Sequence, residues 1–194
     1  NDANNANKID VIGNQSDVVA VNNSWGTLED DLVTRGRNST TLKAAFSDIY
    51  KKNKVITASA GNHNISQPGI ANFPAAWDEY VIAVAASDDD DRIADESVRG
   101  DWVDVSAPGV DVWTTDVSNN YVMTGGTSFS TPLVTGVSSL LKGMRNDLCF
   151  DDIKNIIEIS SDDINYAGDP DIGPGRDNAS GHGRVNAERA LQTL

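Results

Sequence analysis

The chain has 194 residues, 39% of them hydrophobic, and a formal net charge of −14. That is enough for one domain with a real core, and no run of about eighteen apolar residues exists to span a bilayer. With acid in excess and no basic stripe to neutralise phosphates, nucleic acid is excluded as a partner. The single Cys149 leaves neither an internal disulfide nor a cysteine metal site.

The first residues, NDANNANKID, lack the basic start and apolar stretch of a signal peptide, and their abrupt beginning reads as that of a trimmed piece of a longer protein. SDVVAVNNSWG then carries a buried-strand core from Val18 to Val21 and ends in polar residues and Gly26. In TTLKAAFSDIYKKN the apolar residues Leu42, Ala45, Phe46 and Ile49 fall at helical spacing, with Thr40 or Thr41 as the cap. KVITASAGN is a second strand, ending at Gly61, and EYVIAVAAS a third, followed by a charged turn. Continuous Val/Ile/Ala strands with a helix between them predict a parallel sheet covered on both faces. WVDVSAPGVDVWTT gives two short strands around a Pro-Gly turn. SFSTPLVTGVSSLLKGM predicts a helix that begins near Ser128, holds Pro132 in its first turn and buries Leu133, Val137, Leu140, Leu141 and Met144. FDDIKNIIEIS is a further helix with Ile153, Ile156 and Ile157 on its face, and GHGRVNAERALQTL a glycine turn followed by a short helix.

In a parallel α/β sheet the loops at the carboxyl ends of the strands gather at one edge, where ligands bind. NNSWG and ASAGN are both strand-end segments, and Ser128 stands at a helix amino terminus. Unpaired N–H groups and the helix dipole there would stabilise an oxyanion beside the serine. The same features also suit a plain N-cap serine, and Asn62 could equally be a turn residue bonding its own backbone.

Five motifs in one order weigh against the simpler alternatives. GGTSFSTP resembles the nucleophile motif of the subtilisin-like serine proteases, Gly-Thr-Ser-x-x-x-Pro. NNSWG, ASAGN, SAPGV and the terminal GHGRVNAERAL resemble other stretches of that family in the family's order, so the match runs from about Val18 to the carboxyl terminus. The resemblance implies an α/β three-layer sandwich with a mainly parallel sheet, its N-terminal strands missing, and residues 1–194 as the C-terminal part of a single peptidase domain. It implies Ser128 as nucleophile and Asn62 as side-chain donor to the oxyanion. Ser24, Trp25 and Gly26 would form one wall of the primary specificity pocket, and Ser59, Ala60 and Gly61 the opposite wall. It also implies peptide or protein substrates, an exported setting (secreted, periplasmic or at the cell surface), and no cofactor for the chemistry.

A serine protease of this kind also needs a histidine base and an aspartate to orient it. The chain has two histidines. His63 reads as a loop residue and His182 as a packing residue of the terminal Gly-x-Gly turn. No Asp-Ser/Thr-Gly or His-Gly-Thr motif surrounds Asp2 or Asp10. The expectation is therefore a segment that carries the nucleophile and oxyanion donor but is inactive alone. The alternative is a catalytically silent binding or assembly module on the same scaffold. An unpaired sheet edge would bind the missing segment or another copy of the chain. Structural calcium is possible at the carboxylates of SDDDDR and DPDIGPGRDN, although neither stretch has the EF-hand pattern.

Overall fold

The computed structural model describes residues 2–28, 39–63, 71–166 and 168–194. In chain order the elements are α1 (Asp2–Gly13), β1 (Ala20–Asn23), β2 (Thr27–Leu28), α2 (Thr40–Lys51), β3 (Val55–Ser59), β4 (Asn72–Phe73), β5 (Ile82–Ser87) and β6 (Val105–Pro108). They continue with β7 (Val112–Thr115), β8 (Tyr121–Thr124), α3 (Thr127–Met144), α4 (Phe150–Ser160) and α5 (Ala187–Gln192). The parallel sheet is four strands in the order β1-β3-β5-β6, with Ala20 opposite Val55, Thr57 opposite Ile82 and Val84 opposite Val105.

Alternation along each strand sends neighbouring side chains to opposite faces. Ile56, Ala58, Ala83 and Ala85 face a cluster built with Ala6 and Ile9 of α1, Leu42, Phe46 and Ile49 of α2, and Trp77. Val55, Ile82, Val84, Val105 and Ala107 face Val134, Val137 and Leu141 of α3, Phe150, Ile153 and Ile157 of α4, and Ala190 of α5. Helices thus cover the sheet on both sides, which is the three-layer sandwich the sequence implies. Full burial of a side chain such as Phe46 or Phe150 contributes about 1.5–3 kcal/mol.

Several local readings need correction. Residues 2–13 form a helix that the sequence pattern does not announce, because only Ala6 and Ile9 give it a buried face. The cap of α2 is Ser39, whose side chain accepts from the Leu42 amide, rather than Thr40 or Thr41. The first strand lies at 20–23 instead of 18–21. On α3, Leu133, Leu140 and Met144 are about half exposed. The buried face is Val134, Val137 and Leu141 with the small residues Thr131 and Ser138. Those hydroxyls donate to the helix's own carbonyls, Thr131 to Thr127 O and Ser138 to Val134 O, so they are buried already satisfied and let the helix lie close to the sheet. Pro132 sits in the second turn of α3, six residues in, instead of the first.

One buried ion pair ties α4 to the sheet. Lys154 Nζ lies 2.9 Å from Asp104 Oδ1 and donates also to Asp78 and to the Val81 carbonyl. Asp104 Oδ2 accepts the Ala83 amide at 2.7 Å. Burial pushes the Asp104 carboxyl up to about 7 despite the ammonium beside it. For Lys154 burial acts downward, but Asp104 and Asp78 prevail and hold its ammonium above the ordinary lysine value.

Candidate active site

Because β1 and β3 are parallel and in register, Asn23 beside Ala58, both strands deliver their following residues to the same sheet edge. There 24–26 and 60–62 meet the start of α3. The Gly61 amide donates to Thr127 Oγ1 at 3.1 Å. Thr127 in turn donates twice to Asn62 Oδ1, from its amide at 2.8 Å and its hydroxyl at 2.9 Å. Ser24 Oγ donates to the Ser128 carbonyl at 2.9 Å, and Ser128 Oγ donates to the Ser24 carbonyl at 3.3 Å. The structure therefore brings Ser24, Asn62 and Ser128 into one cluster.

The double bond from Thr127 fixes the Asn62 amide. With Oδ1 taken by Thr127, Nδ2 lies beside Gly126 and has no hydrogen-bond partner among the described residues. Gly126 is the residue before the helix and has φ +126°, a conformation in which a side chain is strained; a Cβ there would also lie 2.9 Å from Asn62 Nδ2. The Ser128 amide lies in the first turn of α3, where amides have no partner inside the helix. A half-buried hydroxyl, a first-turn amide and a side-chain amide held in place form a geometry suited to attack on a carbonyl and stabilisation of the resulting oxyanion.

The remaining predicted site residues differ in what they offer. Gly26 is exposed, while Trp25 is half-buried and turns toward the core, edge-on to Phe46 at 6.4 Å. Ser59 and Ala60 are buried, and the Ala60 amide donates to Val84 O, so they support the wall from behind. Sequence reasoning missed Asn72. It is 2% exposed and donates to the Ser59 carbonyl at 3.1 Å, and it sits against both Gly26 and Gly61. It joins the two predicted walls across the sequence, and a Cβ on Gly26 would meet its amide at 2.3 Å.

Neither histidine bonds to Ser128. His63 is exposed, and its amide donates to the Glu96 carbonyl. His182 is on the opposite strand end, its imidazole 3.9 Å from Glu158 and its amide bonded to the Asp104 carbonyl. Several of the carboxylates considered for calcium have partners within the protein. Asp169 and Asp171 hold the Arg99 guanidinium at 2.7 and 2.9 Å, and Asp88 and Asp177 accept amides of their own turns. Among the described residues no group of three or more acidic, histidine or cysteine side chains is arranged to hold a metal ion.

Residues 1–183 match the model of the subtilase family. The chain belongs to that family. The match takes in α1 and so begins earlier than Val18. Among subtilases, the chain is 40% identical over 132 residues to a thermophilic serine proteinase of Bacillus sp. (strain AK1), which covers 68% of this chain and 31% of that protein. It is 34% identical over 151 residues to thermitase of Thermoactinomyces vulgaris, 78% of this chain and 49% of thermitase. Among solved subtilase-like structures, the prenylagaramide maturation protease PagA superposes with a TM-score of 0.82 at 26% identity, over 99% of this chain and 67% of that one. The chain thus spans between about a third and a half of the length of those two curated relatives.

Proposed function

We propose that this chain supplies the nucleophile and oxyanion donors of a serine endopeptidase acting on peptide or protein substrates through an acyl-enzyme. The observation that supports it most is the Asn62–Thr127–Ser128 arrangement, in which one side-chain amide is locked in place beside the hydroxyl that would attack. Ser128 Oγ would add to the substrate carbonyl, and the resulting oxyanion would accept from Asn62 Nδ2 and the Ser128 amide. Among the described residues no side-chain base bonds to Ser128 Oγ, whose partner is the Ser24 carbonyl, so on this reading its proton goes to a base outside this chain. The reading therefore places the histidine and aspartate outside the 194 residues, in the remainder of a single peptidase domain of which this chain is the C-terminal part. Gly26 and Gly61, both packed against Asn72, would border the substrate's extended backbone. Secretion, or a place in the periplasm or at the cell surface, is the setting inferred with it. Among the described residues no helix is long and apolar enough to cross a membrane.

Fluorophosphonate labelling tests the reading. The 194-residue chain alone is expected to stay unlabelled, and the same chain joined to the Asp- and His-bearing part of a subtilase domain is expected to label at Ser128. Labelling of the chain alone would sink the account of its missing base. No labelling in either form would favour the silent module.

A further inference from the structure

Pro132 stands where a helical N–H would bond to the Ser128 carbonyl four residues back. Proline has no N–H to give. The helix ladder therefore releases a carbonyl at the residue that carries the candidate nucleophile. Ser24 Oγ takes that carbonyl at 2.9 Å, from a loop 104 residues away in sequence. The Ser24 hydroxyl is itself held, since Asn22 Nδ2 donates to it at 2.9 Å. Asn22 Oδ1 lies 3.3 Å from Thr135 Oγ1, and Thr135 Oγ1 is 2.6 Å from Thr57 Oγ1 on β3. Polar side-chain contacts thus lead from the middle of the sheet to the first turn of α3, with the Thr135 hydroxyl shared between Asn22 Oδ1 and the Thr131 carbonyl at 3.0 Å.

We propose that Ser24 is a positioning residue for Ser128, its hydroxyl standing in for the N–H that Pro132 lacks. This deepens the endopeptidase reading and rests on it. The Ser24 hydroxyl is committed to the helix and unavailable to a substrate; only the Ser24 backbone is left for that wall. The device ties the nucleophile's own carbonyl to the β1 end, so the strand that borders the cleft sets where Ser128 sits. Because the tie uses the carbonyl, the Ser128 amide stays free for the oxyanion.

The test is a double-mutant cycle in the active protein, comparing wild type, Ser24→Ala, Pro132→Ala and the double variant. Ser24→Ala is expected to lower kcat about tenfold with KM changed by no more than about twofold, and Ser24→Thr to restore it. In the Pro132→Ala background the alanine N–H can take the Ser128 carbonyl, so Ser24→Ala should then cost about twofold or less. A loss carried by KM, or an equal loss in both backgrounds, overturns the proposal. The same cycle is read on the denaturant unfolding midpoint. Coupling there without coupling in kcat would make Ser24 a structural residue only, and overturn its role in positioning. If the wild type never reacts with a fluorophosphonate, it is the endopeptidase reading that fails. The unfolding cycle then decides the tie itself: a smaller loss in the Pro132→Ala background sustains it, an equal loss removes it.

Discussion

Thr127 does more for the site than its place in the motif suggests. It accepts the Gly61 amide and spends both its own donors on Asn62 Oδ1, so it sets the direction of the amide that would face an oxyanion. Thr127→Val keeps the volume of this fully buried side chain and removes its hydroxyl. Two bonds go with it, the donation to Asn62 Oδ1 and the acceptance of the buried Gly61 amide. The orienting bond alone amounts to about 1–1.5 kcal/mol, or about tenfold in rate, and the Gly61 amide left without its acceptor adds a loss of stability. The expected result is kcat down by about that factor in the active protein, KM little changed, and recovery in Thr127→Ser. A change confined to KM would place Thr127 in substrate binding instead. Gly126 carries a different constraint, one that reads on stability. Gly126→Ala has to hold a side chain at φ +126° and against Asn62. Strain of this kind costs about 1–3 kcal/mol, and a lower thermal midpoint checks it; an unchanged midpoint would mean the helix start relaxes freely.

Among the elements, α4 is tied to the sheet by the Lys154–Asp104 contact as well as by its apolar face. Asp104 at the foot of β6 binds its proton more tightly when folded, at about 7 against 3.8 in the open chain, because burial penalises the carboxylate. The sign follows from proton counting. The folded state holds more protons between those values, so this group's contribution is full below about pH 4 and is lost as pH rises through 7. Asp104→Asn removes that dependence while keeping an acceptor for the Ala83 amide. Urea midpoints from pH 4 to 8 should therefore shift in favour of Asp104→Asn as pH rises, and a constant difference between the two proteins would refute the assignment. The elements also differ in how far the sequence disclosed them. On α2 the periodic residues Leu42, Ala45, Phe46 and Ile49 are the buried ones, since nothing competes with hydrophobic spacing there. On α3 the same rule chose Leu133, Leu140 and Met144, which lie outward, because Thr131 and Ser138 satisfy their hydroxyls within the helix and can be buried in their place. The meeting of Ser24, Asn62 and Ser128 was legible, since parallel strands must bring their ends to one edge. Asn72 was not legible as part of the site, and Asn22 and Thr127, although inside the motifs NNSWG and GGTSFSTP, were not legible in their bonding roles. Thr127 meets Asn62 across 65 residues and Asn22 meets Thr135 across 113, and no local pattern marks a polar side chain for such a bond.

For the molecule as a whole, the two edges of the sheet are unequal. The outer side of β6 is covered, as Ser106 exchanges backbone bonds with Gly183 and Val185. Among the described residues β1 pairs only with β3, so its other side presents free N–H and C=O groups. Val19 just before it is 40% exposed, and Leu133, Leu140 and Met144 on α3 are 47%, 53% and 62% exposed. An open strand edge and half-exposed apolar side chains both favour association, with another copy or with a strand from outside these residues. A net charge of −14 acts against it through repulsion between copies, and salt screens that repulsion within about 10 Å at ordinary ionic strength. The chain is therefore expected to stay monomeric in dilute buffer and to self-associate as salt is raised, seen as a concentration-dependent rise in sedimentation coefficient. Leu140→Lys places a charge on an already exposed site and should weaken that association without lowering the thermal midpoint of the monomer. If the chain remains monomeric at high salt and high concentration, the edge is protected by something other than charge, and self-association is ruled out as its use.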